Sequence, residues 1–444
     1  MTTIEPAQDD PLSVDASPTK SFFVQIIVKD IQLDKAILDL VDNSIDGAKR
    51  LRPDGDYHGL SVDIDLSSEG FQISDNCGGI PLETARKYAF KFGRAEGFEE
   101  TDFSVGQFGV GMKRALFKMG REFEVASSSP SEKFDIEVNV DKWIKAKDWD
   151  FRVSNLEVKE TPVSETGTSI SVRRLHDGVK TSFDNDLFLR RLKSELATTQ
   201  QHFMRNGLVI SVKGEALITS EWQLKSGEGI EPFYQEFSDS IGGSHPLKTR
   251  LYAGIGGSKK ADAGWYVFCN GRCILNADQG SRTGWSETTA DGTKAPKYHG
   301  QFSRFRGYVF LDCKDASVLP WNTTKTDLDY EHAAYFKLLE RMITSMRPVI
   351  DFLNDLDAEN DYEEGDRELT TSVAKAQLTP IDTLTERAVF SYKAPKKKGP
   401  PLTTITYKRR QDEVETLKEF LGATSNKAVG EKSFDFAFSN LVED

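Results

Sequence analysis

Helical periodicity in the segment from Asp34 to Arg50 is the first constraint on the fold. Apolar residues recur there at spacings of three and four, which puts them on one helix face. These residues are Ile37, Leu40, Val41, Ile45 and Ala48. Asp39, Asn43 and Asp46 stand at positions i, i+4 and i+7 and form a polar stripe opposite that face. The stripe can direct carboxylate and amide groups at one ligand, although such a stripe alone is usually just the solvated side of a helix.

Strand patterns follow this helix. Apolar and polar residues alternate over 62–66 and again at 71–73, with a Ser-Glu-Gly turn between them, which predicts a β-hairpin. A helix is expected after Pro81 and another from Gly111 to Met119. Further strand patterns lie at 122–127, 134–140, 151–158 and 168–172. Helices segregated from mostly antiparallel strands predict an α+β fold, a two-layer α/β sandwich.

The chain is long enough for more than one core. Its 444 residues exceed the roughly 250 to 300 at which one hydrophobic core stops growing. Strand patterns resume near 208–212, 266–269 and 307–311, which predicts a second α+β domain. The predicted division is an N-terminal arm (1–20), a first domain (21–204), a second domain (205–350), a charged linker (351–410) and a small C-terminal helical element (411–444).

The charge distribution supports the predicted linker. Nine acidic residues and one arginine lie between 351 and 368, and seven basic residues with no acidic one lie between 393 and 410. Such blocks are usually solvated tails or linkers. The formal net charge of −13 argues against a nucleic-acid-binding surface over the whole protein, although the basic block remains a candidate for local phosphate contacts.

Composition also indicates the compartment. No apolar run approaches the roughly 18 residues that would cross a bilayer, and the polar, acidic start lacks the features of a secretory signal. The four cysteines include no Cys-x-x-Cys pair, so we interpret them as reduced thiols. We therefore expect a soluble, cytoplasmic protein with no membrane partner.

Two glycine-containing segments are candidates for ligand binding. In the first, Asp75 ends a strand before a turn at Gly78 and Gly79, so the backbone can approach a flat ligand while the carboxylate accepts a hydrogen bond from an amino group. Taken alone, this is an ordinary turn signal. In the second, residues 106–113, a Gly-x-x-Gly-x-Gly loop opens into a helix whose free backbone amides can hold phosphate. It lacks the Gly-Lys-Ser/Thr ending of a Walker loop and the preceding strand of a dinucleotide fingerprint.

The order and spacing of these segments, with Thr166-Gly167-Thr168 as a fourth element, resemble the GHKL ATPases. This superfamily includes gyrase-type topoisomerases, MutL and MORC proteins, the ninety-kilodalton heat-shock chaperone and histidine kinases. The resemblance implies a Bergerat-type sandwich that binds ATP with Mg²⁺ and hydrolyses it. By position, it implies that Asn43 coordinates magnesium, that Asp75 binds the adenine amino group with support from Thr168, and that Asp39 stands at the position of the catalytic base. The other ATP-binding positions that it implies are Asp46, Gly79, Ile80, Gly106, Gln107, Phe108, Gly109, Val110, Gly111, Met112 and Lys113, and the loop over 92–105 would be a lid.

The sequence departs from this family pattern at two positions. Asp39 replaces the usual glutamate and is one methylene shorter. A displacement of about 1 Å can reduce a rate about a hundredfold, so we expect slow hydrolysis. Asp42 is the other candidate base, but it points about 100° away around the helix. Cys77 stands where the family usually has its first turn glycine, and because Gly78 and Gly79 remain, we expect ATP binding to survive.

Two segments of the predicted second domain favour one branch of the superfamily. Residues 267–274 resemble the Val-Asn-Gly-Arg segment of MutL and MORC transducer domains, and 319–327 resemble a loop that brings a lysine, here Lys325, to the γ-phosphate. Their ordinary interpretations are an Asn-Gly hairpin turn and a surface lysine. Histidine kinases lack this domain, which favours the MORC/MutL/gyrase branch. That branch implies an ATP-dependent homodimer in which the leading arm, about Met1 to Ser21, crosses over.

The leading functional hypothesis is a conformational ATPase that clamps duplex DNA, with phosphate contacts from Lys393–Arg410, in genome or antiviral defence or in genome maintenance. One alternative is a chaperone-like ATPase acting on protein clients. Another is a nucleotide-dependent adaptor with little hydrolysis, which the substitution at Asp39 favours. No metal-ligand cluster is evident in the C-terminal part, so any nuclease activity would come from a partner protein subunit.

Overall fold

A computed structural model describes residues 19–29, 31–91, 102–106, 111–241, 243, 245–393 and 403–442. These residues fall into two units. The first runs to Asp357 and resumes from Leu369 to the gap at 394–402, and the second comprises Ala358–Glu368 and the residues after that gap. Within the first unit, we call residues 19–216 the first part and the remainder, from 217 onward, the second part.

The first part contains eight helices and eight strands among its described residues. In chain order they are α1 (Lys20–Lys29), α2 (Leu33–Leu51), β1 (Ser61–Ser67), β2 (Gly70–Asp75), α3 (Leu82–Thr84) with a π-helical turn (Ala85–Ala89), α4 (Gly111–Met119), β3 (Gly120–Ser128), β4 (Glu132–Asn139), α5 (Val140–Lys145), β5 (Val153–Val158), β6 (Gly167–Leu175), α6 (Asp177–Phe183), α7 (Asp186–Thr199), α8 (Gln201–Arg205), β7 (Val209–Val212) and β8 (Glu215–Ala216).

These strands form one sheet in the order β5-β4-β3-β6-β2-β1-β7-β8. All neighbouring pairs are antiparallel except β1 and β7. Apolar residues from one side of the sheet pack with the apolar face of α2 and with α4 in a single core. The predicted hairpin, the helix that we expected over 34–50 and the α+β class are therefore confirmed.

One strand lies on the other side of the expected boundary near residue 204. Val209–Val212 was assigned by its pattern to the second domain, but it pairs in parallel with β1, and Ile210 and Val212 are buried in the first core. The physical reason is that the helices between β6 and β7 return the chain beside β1, and an alternating pattern predicts a strand without predicting which sheet it joins.

The second part contains a five-stranded sheet in the order β11-β12-β15-β13-β14, with two short strand pairs, β9 with β16 and β10 with β17. Its elements are β9 (Gln223–Ser226), β10 (Ile230–Glu231), β11 (Phe233–Asp239), β12 (Leu247–Ile255), β13 (Gly264–Cys269), β14 (Arg272–Asp278), β15 (Phe305–Asp312), α9 (Ala333–Ala358), α10 (Glu368–Lys375), β16 (Gln377–Pro380) and β17 (Ser391–Tyr392). One face of the sheet packs with α9 in a second core.

The segment between the two charge blocks differs from the predicted linker. Residues 377–380 pair with β9, residues 391–392 pair with β10, and Leu369, Val373 and Phe390 are buried in the second core. The charge blocks on either side dominate the composition of 351–410, so composition alone predicted a linker and missed these apolar residues. An ordered extension of the second part therefore replaces the middle of the expected linker.

The described residues after the gap at 394–402 contain two α-helices, α11 (Gln411–Phe420) and α12 (Asn426–Leu441). Ser425 caps α12 by accepting a hydrogen bond from the backbone N–H of Ala428 at 3.2 Å. The helical pattern at 414–421 falls within α11, and the phenylalanines at 434, 436 and 438 fall within α12. None of the helices in the described residues is both long enough and apolar enough to span a membrane.

Candidate nucleotide-binding site

The polar stripe of α2 is the centre of the candidate site. Asn43 is exposed, but Asp39 and Asp46 are buried, because the loop before α4 and residues of the second part lie against this side of the helix. The stripe is therefore more than the solvated face of an amphipathic helix. The carboxylates of Asp39 and Asp46 have different sets of partners.

Asp46 fixes the beginning of the glycine-rich loop. Its carboxylate accepts hydrogen bonds from the backbone N–H groups of Val105 and Gly106, both at 2.7 Å, and from Ser104 Oγ at 2.8 Å. A Cβ atom at Gly106 would lie 2.8 Å from Asp46 Oδ2 and 3.6 Å from Asn43 Oδ1. A side chain at Gly106 would displace the Asp46 carboxylate, so glycine lets the loop backbone lie beside Asn43 while Asp46 keeps its hydrogen bonds.

Asp75 lies at the end of β2, opposite Thr168 in β6. One oxygen accepts the backbone N–H groups of Cys77 at 2.9 Å and Thr168 at 3.2 Å, and the other accepts Ser44 Oγ of α2 at 2.6 Å. Burial raises the pKa of Asp75, and these hydrogen bonds oppose the increase. The carboxyl group is thus held in one orientation beside α2, as a residue that recognises a purine amino group has to be.

The turn after Asp75 brings two backbone segments very close together. Gly79 has φ +70°, and a Cβ there would lie 2.1 Å from the carbonyl oxygen of Ser128. The neighbouring Ile80 donates its backbone N–H to Ser127 Oγ at 2.7 Å. Cys77, the departure from the family pattern, is buried, and burial raises the pKa of its thiol. The cysteine therefore packs as a small apolar residue.

Helix α4 begins beside the predicted base. A Cβ atom at Gly111 would lie 3.1 Å from Asp39 Cγ, so the N-terminus of α4 faces the carboxylate. Met112 and Lys113 are buried, and Lys113 Nζ donates to the carbonyl oxygen of Ala89 at 2.8 Å. Burial lowers the pKa of Lys113 to about 7. Of the other predicted positions, Gln107, Phe108, Gly109 and Val110 lie outside the described residues, as do residues 92–101 of the expected lid.

Asp39 and Lys325 are 286 residues apart in the sequence, and the structure brings them together: Lys325 Nζ lies 4.0 Å from Asp39 Oδ1. Asp39 also accepts a hydrogen bond from Arg114 Nη2 at 2.8 Å. Arg114 was not among the site residues predicted from the sequence. Its signal was its position three residues after Gly111 on a helix, where side chains point back toward the N-terminus.

Asp42 joins α2 to the second part. It is fully buried, forms an ion pair with Arg272, and accepts hydrogen bonds from Lys325 Nζ at 2.8 Å and Gln200 Nε2 at 3.0 Å. Burial alone would raise the pKa of this carboxyl, but Arg272 and Lys325 outweigh it and hold the pKa below its usual value. With its oxygens engaged in this way, Asp42 is the interdomain anchor, and Asp39 remains the candidate base.

The Asn-Gly-Arg turn at 270–272 makes a second connection between the second part and the first part. Asn270 Nδ2 donates to the carbonyl oxygens of Ser104 at 3.1 Å and Cys313 at 3.0 Å. Lys49 Nζ of α2 donates to the carbonyl oxygens of Phe103 at 2.6 Å and Asn270 at 2.7 Å. Burial lowers the pKa of Lys49 to about 8. The second part therefore contacts both α2 and the loop that Asp46 holds.

An α/β sandwich with a polar helix, a strand-end aspartate and a glycine-rich helix start defines a GHKL-type ATPase domain. Residues 31–168 match the family described as histidine kinase-, DNA gyrase B- and HSP90-like ATPase. The match covers under a third of the 444 residues and includes every predicted site residue except Lys325. The chain matches no curated protein. Residues 31–168 thus carry an ATPase domain of this superfamily, and ATP is the ligand that such a domain implies.

Proposed function

We propose that this protein is a Mg²⁺-dependent ATPase in which ATP sets the position of the second part relative to the nucleotide domain, as in the MORC/MutL/gyrase branch. The observation that carries the proposal is the position of Lys325. Its ammonium group is buried beside Asp39 and Asp42, although the lysine belongs to the second part of the chain. An ammonium group there adds positive charge where the terminal phosphate of ATP would lie.

The described residues suggest how ATP would be held. Asp75, oriented by Ser44 and the Thr168 backbone, would accept a hydrogen bond from the adenine amino group. The phosphates would lie at the N-terminus of α4, where free N–H groups and the helix dipole favour anions. Lys325 would contact the terminal phosphate from the second part.

Magnesium suits the donors around Asn43. No cluster of three His, Cys, Asp or Glu side chains that could hold a metal occurs within the described ranges. Mg²⁺ prefers oxygen ligands and is commonly bound by few protein groups together with substrate phosphates. The exposed amide of Asn43, beside Gly106, supplies one such oxygen. When bound, the ion would neutralise phosphate charge.

Hydrolysis would use Asp39 as the base. Its carboxylate would take a proton from water as the water oxygen attacks the γ-phosphorus, the bond to the bridging oxygen would break, and ADP and phosphate would leave. The ion pair with Arg114 at 2.8 Å orients this carboxylate but also occupies one of its two oxygens. Together with the shorter side chain, this pairing supports a slow reaction.

Single-turnover hydrolysis tests the proposal. Asp39→Asn should slow the chemical step by at least about a hundredfold, as expected for loss of a general base. Lys325→Ala should slow it and weaken ATP binding more than ADP binding. Lys248→Ala, at an exposed lysine of the same second part, is the matched control and should behave as wild type. If Asp39→Asn hydrolyses ATP as fast as wild type, Asp39 is not the base.

We further propose that ATP closes a homodimer that acts on duplex DNA. The support is the branch resemblance and the exposed basic end of the 393–410 block, Lys408 to Arg410, of which Arg410 pairs with Asp412 at 2.6 Å. Residues 1–18 of the leading arm lie outside the described residues. Molecular mass in solution with a non-hydrolysable ATP analogue, then with duplex DNA, is the test. A nucleotide-independent monomer would refute the dimer, and DNA binding that does not weaken with salt would refute phosphate contacts.

The Asp39–Arg114 ion pair favours a second candidate, a nucleotide-dependent adaptor that binds ATP and hydrolyses little. In that case Asp39→Asn and wild type would both hydrolyse slowly, while ATP would still change the solution mass or protease sensitivity. A wild-type single-turnover rate at the level of the uncatalysed reaction, together with an ATP-dependent change in mass, would favour the adaptor over the ATPase.

A further inference from the structure

Five charged side chains meet where α2 contacts the second part. Arg114, Arg272 and Lys325 are cationic, and Asp39 and Asp42 are anionic, which leaves one positive charge in excess. Little of this cluster is exposed: the exposed fractions of the side chains are 18% for Arg114, 1% for Arg272, 6% for Lys325, 9% for Asp39 and 1% for Asp42. Uncompensated charge at such sites is costly.

Two neighbouring acid–base pairs among the described residues leave the excess unchanged. Asp46, one turn along α2, acts on the buried ammonium group of Lys49, and Asp312 is paired with Arg250 at 3.1 Å. Adding these two acids and two bases leaves the balance at one positive charge. The cluster is therefore suited to an anion.

Arg114 is the member of the cluster best placed to meet that anion. It contacts Asp39 through Nη2, while its Nε is buried and has no hydrogen-bond partner in the described part of the chain. The residue lies one turn into α4, and its side chain points back toward Gly111, where the helix N-terminus favours negative charge. The guanidinium thus lies beside the candidate base, which itself faces the start of α4 where phosphates are expected.

We propose that Arg114 is a further residue of the nucleotide site, which contacts the terminal phosphate of ATP and positions Asp39. This inference rests on the proposed function. A guanidinium group presents a planar fork of donors, so it can bind a phosphate oxygen and a carboxylate together. The contact involves only the terminal phosphate, so Arg114 discriminates ATP from ADP and anchors the shortened acid at the reacting water.

The ATP-to-ADP affinity ratio is the sensitive measurement, because ADP binding reports on the fold of the same site. For Arg114→Gln, the affinity for a non-hydrolysable ATP analogue should fall about 10- to 100-fold, the range for lost hydrogen bonds to a charged group. The affinity for ADP should remain within about threefold of wild type. Arg114→Lys keeps the charge without the fork and should give an intermediate loss.

The matched control is Arg121→Gln, which removes an arginine from the same domain at an exposed ion pair with Asp141. It should leave both affinities unchanged. The double variant Asp39→Asn/Arg114→Gln separates phosphate contact from neutralisation of Asp39. If Arg114 contacts phosphate, the double variant keeps the loss of analogue affinity, and if Arg114 only balances Asp39, the double variant recovers it.

Isothermal titration calorimetry with both nucleotides distinguishes the outcomes. Loss of analogue affinity alone in Arg114→Gln, retained in the double variant, supports the proposal. Equal loss of both nucleotides, unchanged analogue affinity, or recovery in the double variant overturns it. If wild type binds neither nucleotide, the proposed function itself fails, which is a different result from wild-type binding that Arg114→Gln leaves intact.

Discussion

Replacing Asp42 with asparagine tests whether the buried ion cluster joins the two parts of the first unit. The substitution removes a carboxylate that Arg272 and Lys325 share, while both cations remain almost wholly buried. Removing one partner of a buried pair leaves uncompensated charge and typically costs about 3 to 5 kcal/mol. The pKa of Asp42 is lowered because its cationic partners outweigh burial, so the carboxylate that the substitution removes is ionised in the folded protein.

Urea unfolding followed by tryptophan fluorescence measures this loss. The chain has two tryptophans in the first part and four in the second, at positions 143 and 149 and at 222, 265, 285 and 321. Asp42→Asn should lower the free energy of unfolding by about 3 to 5 kcal/mol. It should also separate the transitions of the two parts, since the cations that lose this carboxylate belong to the second part and the helix that carries it belongs to the first.

A matched control and a double variant make the result decisive. Asp239 pairs with Arg341 and Lys337 within the second part, at a more exposed position. Asp239→Asn should cost only about 1 kcal/mol and should not separate the transitions. Asp42→Asn/Arg272→Met removes one unpaired cation and should recover part of the loss. If Asp42→Asn costs under about 1 kcal/mol, the cluster does not hold the parts together. The same conclusion follows if the loss in the double variant equals the sum of the losses in Asp42→Asn and Arg272→Met.

Two further predictions concern backbone geometry and pH. Gly79→Ala should destabilise the protein by at least about 2 kcal/mol in thermal unfolding, because φ is +70° and the new Cβ would lie 2.1 Å from the Ser128 carbonyl oxygen. The control Gly178→Ala should not destabilise it, because a Cβ there meets nothing within 4 Å. Burial lowers the pKa of Lys113 from 10.5 to about 7, so between these values the unfolded chain holds a proton that the folded chain has released, and this group makes the free energy of unfolding increase with pH. Lys113→Met should reduce that slope by about 1.4 kcal/mol per pH unit between pH 7.5 and 9. The control Lys248→Met, at an exposed lysine, should leave the slope unchanged. Equal slopes in wild type and Lys113→Met would contradict the lowered pKa of Lys113.

Local pattern was sufficient for the elements that build the first core. The apolar spacing over 34–50 predicted α2, and alternation around the turn at 68–70 predicted the β1–β2 hairpin, and the structure confirms both elements. A helix period is a property of consecutive residues, so it is readable without knowing what the helix packs against. The same applies to the placement of Asp39, Asn43 and Asp46 on one stripe.

The partners of those residues depend on segments that are distant in the sequence. Arg272 and Lys325 reach Asp42 across 230 and 283 residues, and no periodicity or composition predicts which buried cation meets which acid. The role of Arg114 could not be predicted from the sequence for a related reason, because it depends on the contact of its guanidinium group with Asp39. The buried strands at 377–380 and 391–392 were hidden between charge blocks.

The sequence by itself therefore determined the α+β class, the helix that presents the acids and the GHKL motifs, because these rest on local spacing. Only the tertiary structure decided that Asp42 is an anchor, that Arg114 pairs with Asp39 and that the second part covers α2. These contacts depend on which surfaces meet once the cores form. Folding brings charged side chains from distant segments together and buries them, and the resulting cluster has one positive charge in excess.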